Sequence, residues 1–161
     1  MDIQKIRIST LAIISLFAFN TQTSFAQKEK TPKAIMIIID GVPADLLEKV
    51  PTLNIDAISQ EGAYTRASLG GERGGYSETP TISAVGYNSM LTGTWSNKHN
   101  VFGNGIEDPN YNYWTIFRFL KESRPSSKLG IYSTWLDNRT KLLGAGLPQT
   151  NNLALDYHFD G

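Results

Sequence analysis

The run Ala-Ile-Met-Ile-Ile-Ile at residues 34–39, closed by Asp40 and Gly41, constrains the fold more than any other stretch. Six consecutive apolar residues, four of them isoleucine, are typical of a strand that is buried on both faces of a parallel sheet. A buried helix is the alternative, but so short a run before an Asp-Gly turn favours the strand. The run therefore predicts an α/β protein.

Residues 1–26 have the three parts of a secretory signal. Lys5 and Arg7 precede an apolar run at residues 11–19, and a Ser-Phe-Ala cleavage site follows it. The apolar run is too short to span a bilayer. We therefore predict a signal peptide that is cut after Ala26, and a secreted or periplasmic protein without a membrane anchor. An uncleaved anchor helix or a buried N-terminal helix is the alternative.

Composition excludes several classes of protein. The chain has no cysteine, so an exported form cannot rely on disulfides and needs a core or a bound metal. Its 15 basic and 15 acidic residues balance, and they form no basic stripe. Binding to a nucleic-acid polymer or to an anionic membrane requires clustered Lys and Arg, so neither partner is predicted.

Hydrophobic periodicity and end signals predict the remaining elements. Helices are expected at residues 44–50, 53–60, 84–92 and 114–122, and a second strand at residues 128–134. In the third helix, Val85, Met90 and Leu91 are expected to pack inward, and Gly93 ends it. A Gly-rich stretch at residues 70–75 lacks the Lys-Ser/Thr of a phosphate-binding loop and is interpreted as a flexible loop.

Two polar residues occupy positions suited to chemistry. Asp40 follows the first predicted strand, where ligands of open α/β sheets bind, and its carboxylate suits a divalent cation. Ser83 precedes a predicted helix, whose N-terminus favours an alkoxide or a phosphate. Each has a simpler interpretation, Asp40 as a turn residue and Ser83 as a helix cap. A serine needs activation to act as a nucleophile, and only His99 and His158 are present for a triad, so activation by a metal is favoured.

Three segments carry a resemblance to a known family. They read IMIIIDGVPADLL, PTLNIDAISQEGAYT and TPTISAVGYNSMLTGTWSNKHNVFGN. Together they resemble the alkaline phosphatase superfamily, in its nucleotide pyrophosphatase/type I phosphodiesterase branch. The resemblance places the family's metal-binding Asp on Asp40 and its nucleophilic Thr or Ser on Ser83. It extends through His99, Asn104 and the second strand up to Trp135.

The resemblance implies a fold, a reaction and a cofactor. The fold is an alkaline-phosphatase-like parallel-sheet sandwich with helices on both faces, of which residues 27–161 would be the N-terminal part. The reaction is hydrolysis of a small phosphate ester through a phosphoseryl intermediate on Ser83. The cofactor is two divalent metal ions, expected to be Zn²⁺, with Asp40 and Ser83 as ligands and the other ligands outside this chain.

This sequence departs from the family pattern in ways that affect the expected site. Ala84-Val85-Gly86-Tyr87 replaces the family's Phe-Pro-Asn-His after the nucleophile, which leaves Asn88 as the candidate for a substrate contact. The family's later Asp and His motifs are also missing. We therefore expect activity only in a longer, full-length protein. The alternative is a non-catalytic remnant or binding module that retains half of the fold.

Overall fold

The computed structural model describes residues 32–161. The predicted signal peptide therefore lies outside the described residues. Residues 38–161 belong to one compact unit and residues 32–37 to another. In chain order, the elements are α1 (Ala44–Leu47), α2 (Leu53–Glu61), α3 (Ser83–Thr92), α4 (Ser96–His99), α5 (Ile116–Ser123), β1 (Gly130–Tyr132), a π-helix (Asn138–Leu142), a 3₁₀-helix (Pro148–Thr150) and β2 (Tyr157–Phe159).

The two strands β1 and β2 pair in parallel, with Ile131 opposite His158 at the centre of the register. Parallel neighbours need a crossover, and the π-helix and the 3₁₀-helix lie in that connection. This mixture of helices with a parallel sheet agrees with the predicted α/β class. A sheet of two three-residue strands is not a sandwich, so the alkaline-phosphatase-like architecture stays a prediction.

The strand predicted at residues 34–39 is wrong for the structure as described. These residues are assigned to no strand, and side chains expected in the core are exposed, with Ile35 at 87% and Ile37 at 77%. The prediction depended on side-chain composition, whereas a strand exists only where its backbone pairs with another strand. Among residues 32–161, the strand pairing is that of β1 with β2.

Helix α3 lies at the centre of the core. Its residues contribute to two buried apolar clusters. The first cluster consists of Ala84, Val85, Val101, Ile106 and Leu142, with Tyr87 and Trp135 packed against it. The second consists of Leu91, Leu129, Leu143 and Leu153, with Phe117, Leu120, Ile131 and Leu155 packed against it. A rigid α3 therefore fixes the position of any group at its N-terminus.

The inward face of α3 was predicted in part. Val85 and Leu91 are buried as expected, but Met90 is 41% exposed and its predicted inward packing is wrong. The buried positions are completed instead by Asn88 and Ser89. Ser89 can occupy a buried position because its hydroxyl forms hydrogen bonds with the Val85 carbonyl and with His99 inside the core.

The C-terminus of α3 allows a matched test of backbone strain. Gly93 caps the helix with φ 66, and an added Cβ there would meet no atom within 4 Å. Gly93→Ala is therefore expected to lower the free energy of unfolding by about 1 kcal/mol through the left-handed conformation alone. Gly103 is the control, since its added Cβ also meets nothing and its φ is not left-handed. Urea unfolding should show that Gly103→Ala is as stable as the native chain or more stable. An equal loss of stability in both variants would contradict the left-handed backbone of Gly93 as the cause.

Candidate active site

Ser83 is the first residue of α3, and the N-cap position before it is occupied by Ile82. Ile82 before it is extended, and the first helical hydrogen bond runs from Gly86 N–H to the Ile82 carbonyl at 2.9 Å. The N–H groups of Ser83, Ala84 and Val85 therefore precede the helical ladder. Such groups and the helix dipole favour a negatively charged ligand at this end.

Asp40 and Ser83 meet at this end of the helix although 43 residues separate them. The Ser83 hydroxyl donates a hydrogen bond to Asp40 Oδ2 over 3.0 Å. Ser83 is half-buried and Asp40 is exposed. The structure thus brings together the two residues to which the sequence assigned catalysis and metal binding, and their roles stay predictions.

Asn104 joins the site, and sequence reasoning gave it no role. Its Oδ1 accepts a hydrogen bond from Ala84 N–H at 3.1 Å, next to Ser83 in the first turn of α3. This leaves the Nδ2 amide as a donor close to the nucleophile candidate. The signal that could have found Asn104 was its place in the family-like segment, because no local periodicity marks a loop asparagine.

Tyr87 is a second residue that sequence reasoning left without a role. It lies four residues after Ser83 on α3, and its ring packs against the first buried cluster. Burial and then the Asp40 carboxylate raise the pKa of Tyr87, so the phenol is protonated at neutral pH and can donate a hydrogen bond.

Asn88, the predicted substrate contact, is 3% exposed and lies on the buried side of α3. It lines a small cavity of about 10 Å³ together with Arg118. Asn88 Oδ1 and Arg118 Nε have no hydrogen-bond partner among the described residues. The role of Asn88 stays a prediction, and its place in the core favours Asn104 for a contact beside Ser83.

His99 belongs to the core beneath the site. It is fully buried, accepts a hydrogen bond from Val101 N–H at Nδ1 over 3.1 Å, and lies 2.9 Å from Ser89 Oγ through Nε2. Because Nδ1 accepts, Nε2 carries the proton and donates to Ser89, which donates in turn to the Val85 carbonyl at 2.9 Å. Burial lowers the pKa of His99 to about 4, so it is neutral under ordinary conditions.

The donor set around Ser83 fits part of a divalent-cation site. A carboxylate and a hydroxyl are the hard oxygen ligands that such cations accept. Residues 32–161 contain no group of three His, Asp or Glu side chains that could hold a metal by themselves. His158, the second histidine of the chain, is exposed on β2.

Comparison with known families tests the resemblance directly. The model of the type I phosphodiesterase / nucleotide pyrophosphatase family matches residues 34–147, which is most of the chain. The chain belongs to this family. Type I phosphodiesterases and nucleotide pyrophosphatases hydrolyse phosphoric esters and are usually metal-dependent. Comparisons with curated proteins and with solved structures gave no match.

The matched range covers Asp40, Ser83, Tyr87 and Asn104, which is the whole of the site described above. The predicted membership in the type I phosphodiesterase/nucleotide pyrophosphatase branch is therefore confirmed. Among residues 32–161, no helix has the length and apolar character needed to cross a bilayer.

Proposed function

We propose that this protein is an exported, metal-dependent phosphoric-ester hydrolase of the phosphodiesterase/nucleotide pyrophosphatase type, with Ser83 as its nucleophile. The supporting observation is the 3.0 Å hydrogen bond between Ser83 Oγ and Asp40 Oδ2 at the N-terminus of α3, inside the family-matched range. Export is proposed from the signal pattern at residues 1–26. The substrate class is a small phosphate ester.

Asp40 and Ser83 are the residues that would hold a divalent cation, which we propose is Zn²⁺ in a two-ion centre. When bound, the cation supplies Lewis-acid activation of the hydroxyl and neutralises charge on the phosphoryl group. The remaining ligands are proposed to come from outside the residues that the structure describes. The alkaline-phosphatase-like sandwich is proposed as the architecture that would bring them to this site.

Asp40 orients the nucleophile. Its Oδ2 accepts the hydrogen bond from the Ser83 hydroxyl over 3.0 Å, which fixes the orientation of that hydroxyl. In the proposed reaction, the Ser83 hydroxyl gives up its proton to water, Ser83 Oγ forms a bond to phosphorus, the bond from phosphorus to the leaving oxygen breaks, and that oxygen departs with the electron pair. Water then attacks phosphorus and releases Ser83, so the phosphoseryl intermediate turns over.

The phosphoryl oxygens meet donors that already point to this end of the helix. The N–H groups of Ser83 and Val85 precede the helical ladder, and the N–H group of Ala84 between them tethers Asn104 at this end of the helix. Its Nδ2 amide is a neutral donor for an anionic oxygen. Because a helix N-terminus and an amide N–H both favour negative charge, they favour an anionic phosphoryl group over a neutral carbonyl group.

Removal of the metal gives a first test of this proposal. Incubation of the purified protein with EDTA is expected to lower hydrolysis of bis(p-nitrophenyl) phosphate at least tenfold, because Asp40 and Ser83 would lose the cation that activates the nucleophile. Addition of Zn²⁺ after removal of the chelator should restore it. Parallel assays with p-nitrophenyl phosphate distinguish a diesterase from a phosphatase. Hydrolysis that is unchanged by the chelator would contradict metal dependence.

A further inference from the structure

The small cavity beside α3 brings together two buried polar groups that the proposed reaction does not use. Asn88 from α3 and Arg118 from α5 both line it. Asn88 Oδ1 and Arg118 Nε are buried, and neither has a hydrogen-bond partner among residues 32–161. Because buried polar atoms in folded proteins are nearly always hydrogen-bonded, two such atoms at one cavity indicate a bound partner.

Both side chains are held in place by their surroundings. Asn88 is 3% exposed, within a helix that packs against two apolar clusters. The Arg118 guanidinium donates through Nη1 to two backbone carbonyls, that of Tyr111 at 3.0 Å and that of Gln149 at 2.9 Å. Its Cζ atom also lies 4.4 Å from the centre of the Trp114 ring. Arg118 therefore cannot turn Nε toward another acceptor without losing these contacts.

The size of the cavity and the two groups together select the ligand. A space of about 10 Å³ is close to the least that holds one water molecule. The ligand must accept a hydrogen bond from Arg118 Nε–H and donate one to Asn88 Oδ1. A monatomic anion cannot donate to the amide oxygen, and a metal cation would be repelled by the guanidinium charge. Water is small enough and can both donate and accept.

We propose that this cavity is the binding site of a single buried water molecule, which accepts from Arg118 Nε–H and donates to Asn88 Oδ1. The side chains of Thr115 and Thr150, which are 5% and 2% exposed, also line the cavity and have hydroxyl oxygens that can accept the second water proton. The water joins α5 to the buried side of α3. This inference goes beyond the proposed function and does not depend on it.

A crystal structure of the full chain at atomic resolution tests the site directly. The expected result is one density peak that refines as water, within hydrogen-bond distance of Asn88 Oδ1 and Arg118 Nε. A peak that refines as an ion, a direct hydrogen bond between the two side chains, or a cavity without density would each overturn the proposal.

Nuclear magnetic resonance tests the same site in solution. The Arg118 Nε–H proton of the ¹⁵N-labelled protein is expected to show a dipolar cross peak to water that changes sign between laboratory-frame and rotating-frame spectra, which marks a long-lived bound water. Arg139 is the control in the same spectrum, because its Nε donates directly to Asp160 Oδ1 at 2.9 Å and should show no such peak. No peak at Arg118 would overturn the proposal.

A pair of variants tests the part played by Asn88. Asn88→Leu removes the acceptor and keeps a side chain of similar size, so the Arg118 cross peak to water should be lost. Asn97→Leu is the matched control: Asn97 Oδ1 is also buried without a partner among the described residues, but Asn97 does not line this cavity. The cross peak should remain in that variant. A cross peak that persists in Asn88→Leu would overturn the bridge, and if that variant does not fold, the native spectrum and the crystal structure decide.

Discussion

Ser83→Ala is expected to lower kcat for phosphoric-ester hydrolysis by about 10³-fold or more. The substitution removes the oxygen that would bond to phosphorus and the donor of the 3.0 Å hydrogen bond to Asp40. Loss of a nucleophile removes the covalent route and leaves only the binding and electrostatic contributions to the rate. Initial rates with bis(p-nitrophenyl) phosphate at saturating substrate would measure this loss.

Thr81→Ala is the matched control for that substitution. Thr81 is an exposed hydroxyl residue two positions before Ser83, outside α3, and it is the obvious alternative if the register of the site were shifted. We expect Thr81→Ala to stay within about threefold of the native rate, since surface substitutions away from a site have small effects. Ser83→Thr retains a hydroxyl and should keep measurable activity. Loss of activity in Thr81→Ala with normal turnover in Ser83→Ala would place the nucleophile at Thr81.

Acid is expected to destabilise the protein through His99. An unfolded histidine has a pKa near 6.5 and burial lowers the pKa of His99 to about 4, so the unfolded state binds a proton that the folded state does not. Above about pH 6.5 His99 is neutral in both states and the free energy of unfolding is unaffected. As the pH falls from about 6.5 toward 4, the unfolded state takes up the proton first and the free energy of unfolding decreases. The full decrease in the free energy of unfolding is about 3 kcal/mol, which follows from the difference between the unfolded and folded pKa values of His99. Protonation at Nδ1 would also place two donors face to face, His99 and Val101 N–H.

The pH dependence of urea unfolding between pH 7 and pH 4.5 checks this prediction. The free energy of unfolding should fall steeply in the native protein and in His158→Gln, whose histidine is exposed on β2. In His99→Gln the steep fall should disappear, although the variant starts from a lower stability because the Ser89 contact is changed. A slope that is the same in His99→Gln and in the native protein would show that His99 is not the group responsible.

Local patterns predicted the helix of the candidate site because the ends of a helix are set by short segments of sequence. Apolar spacing and Gly93 placed the helix at residues 84–92, and the structure has α3 at Ser83–Thr92. The position of Asp40 in an Asp-Gly turn and of Ser83 at the start of a helix depends only on short segments. Their meeting over 43 residues was an inference from chemistry, and the hydrogen bond between them agrees with it.

Other features depend on long-range contacts, so local patterns either predicted them wrongly or gave no sign of them. The apolar run at residues 34–39 has strand composition, but strand pairing is a property of two segments, and no composition shows a partner. Asn104 lies in a loop, and only the fold places its side chain at Ala84 N–H.

Acid quench of the working enzyme, followed by peptide mass spectrometry, tests the nucleophile most directly. The protein would be mixed with a p-nitrophenyl phosphodiester, stopped within the first turnovers and digested. A covalent phosphoester adduct on Ser83 that is absent from the Ser83→Ala protein is the expected result. Turnover with an adduct on Thr81, or with the Ser83 peptide unmodified under the same quench, would contradict Ser83 as the nucleophile.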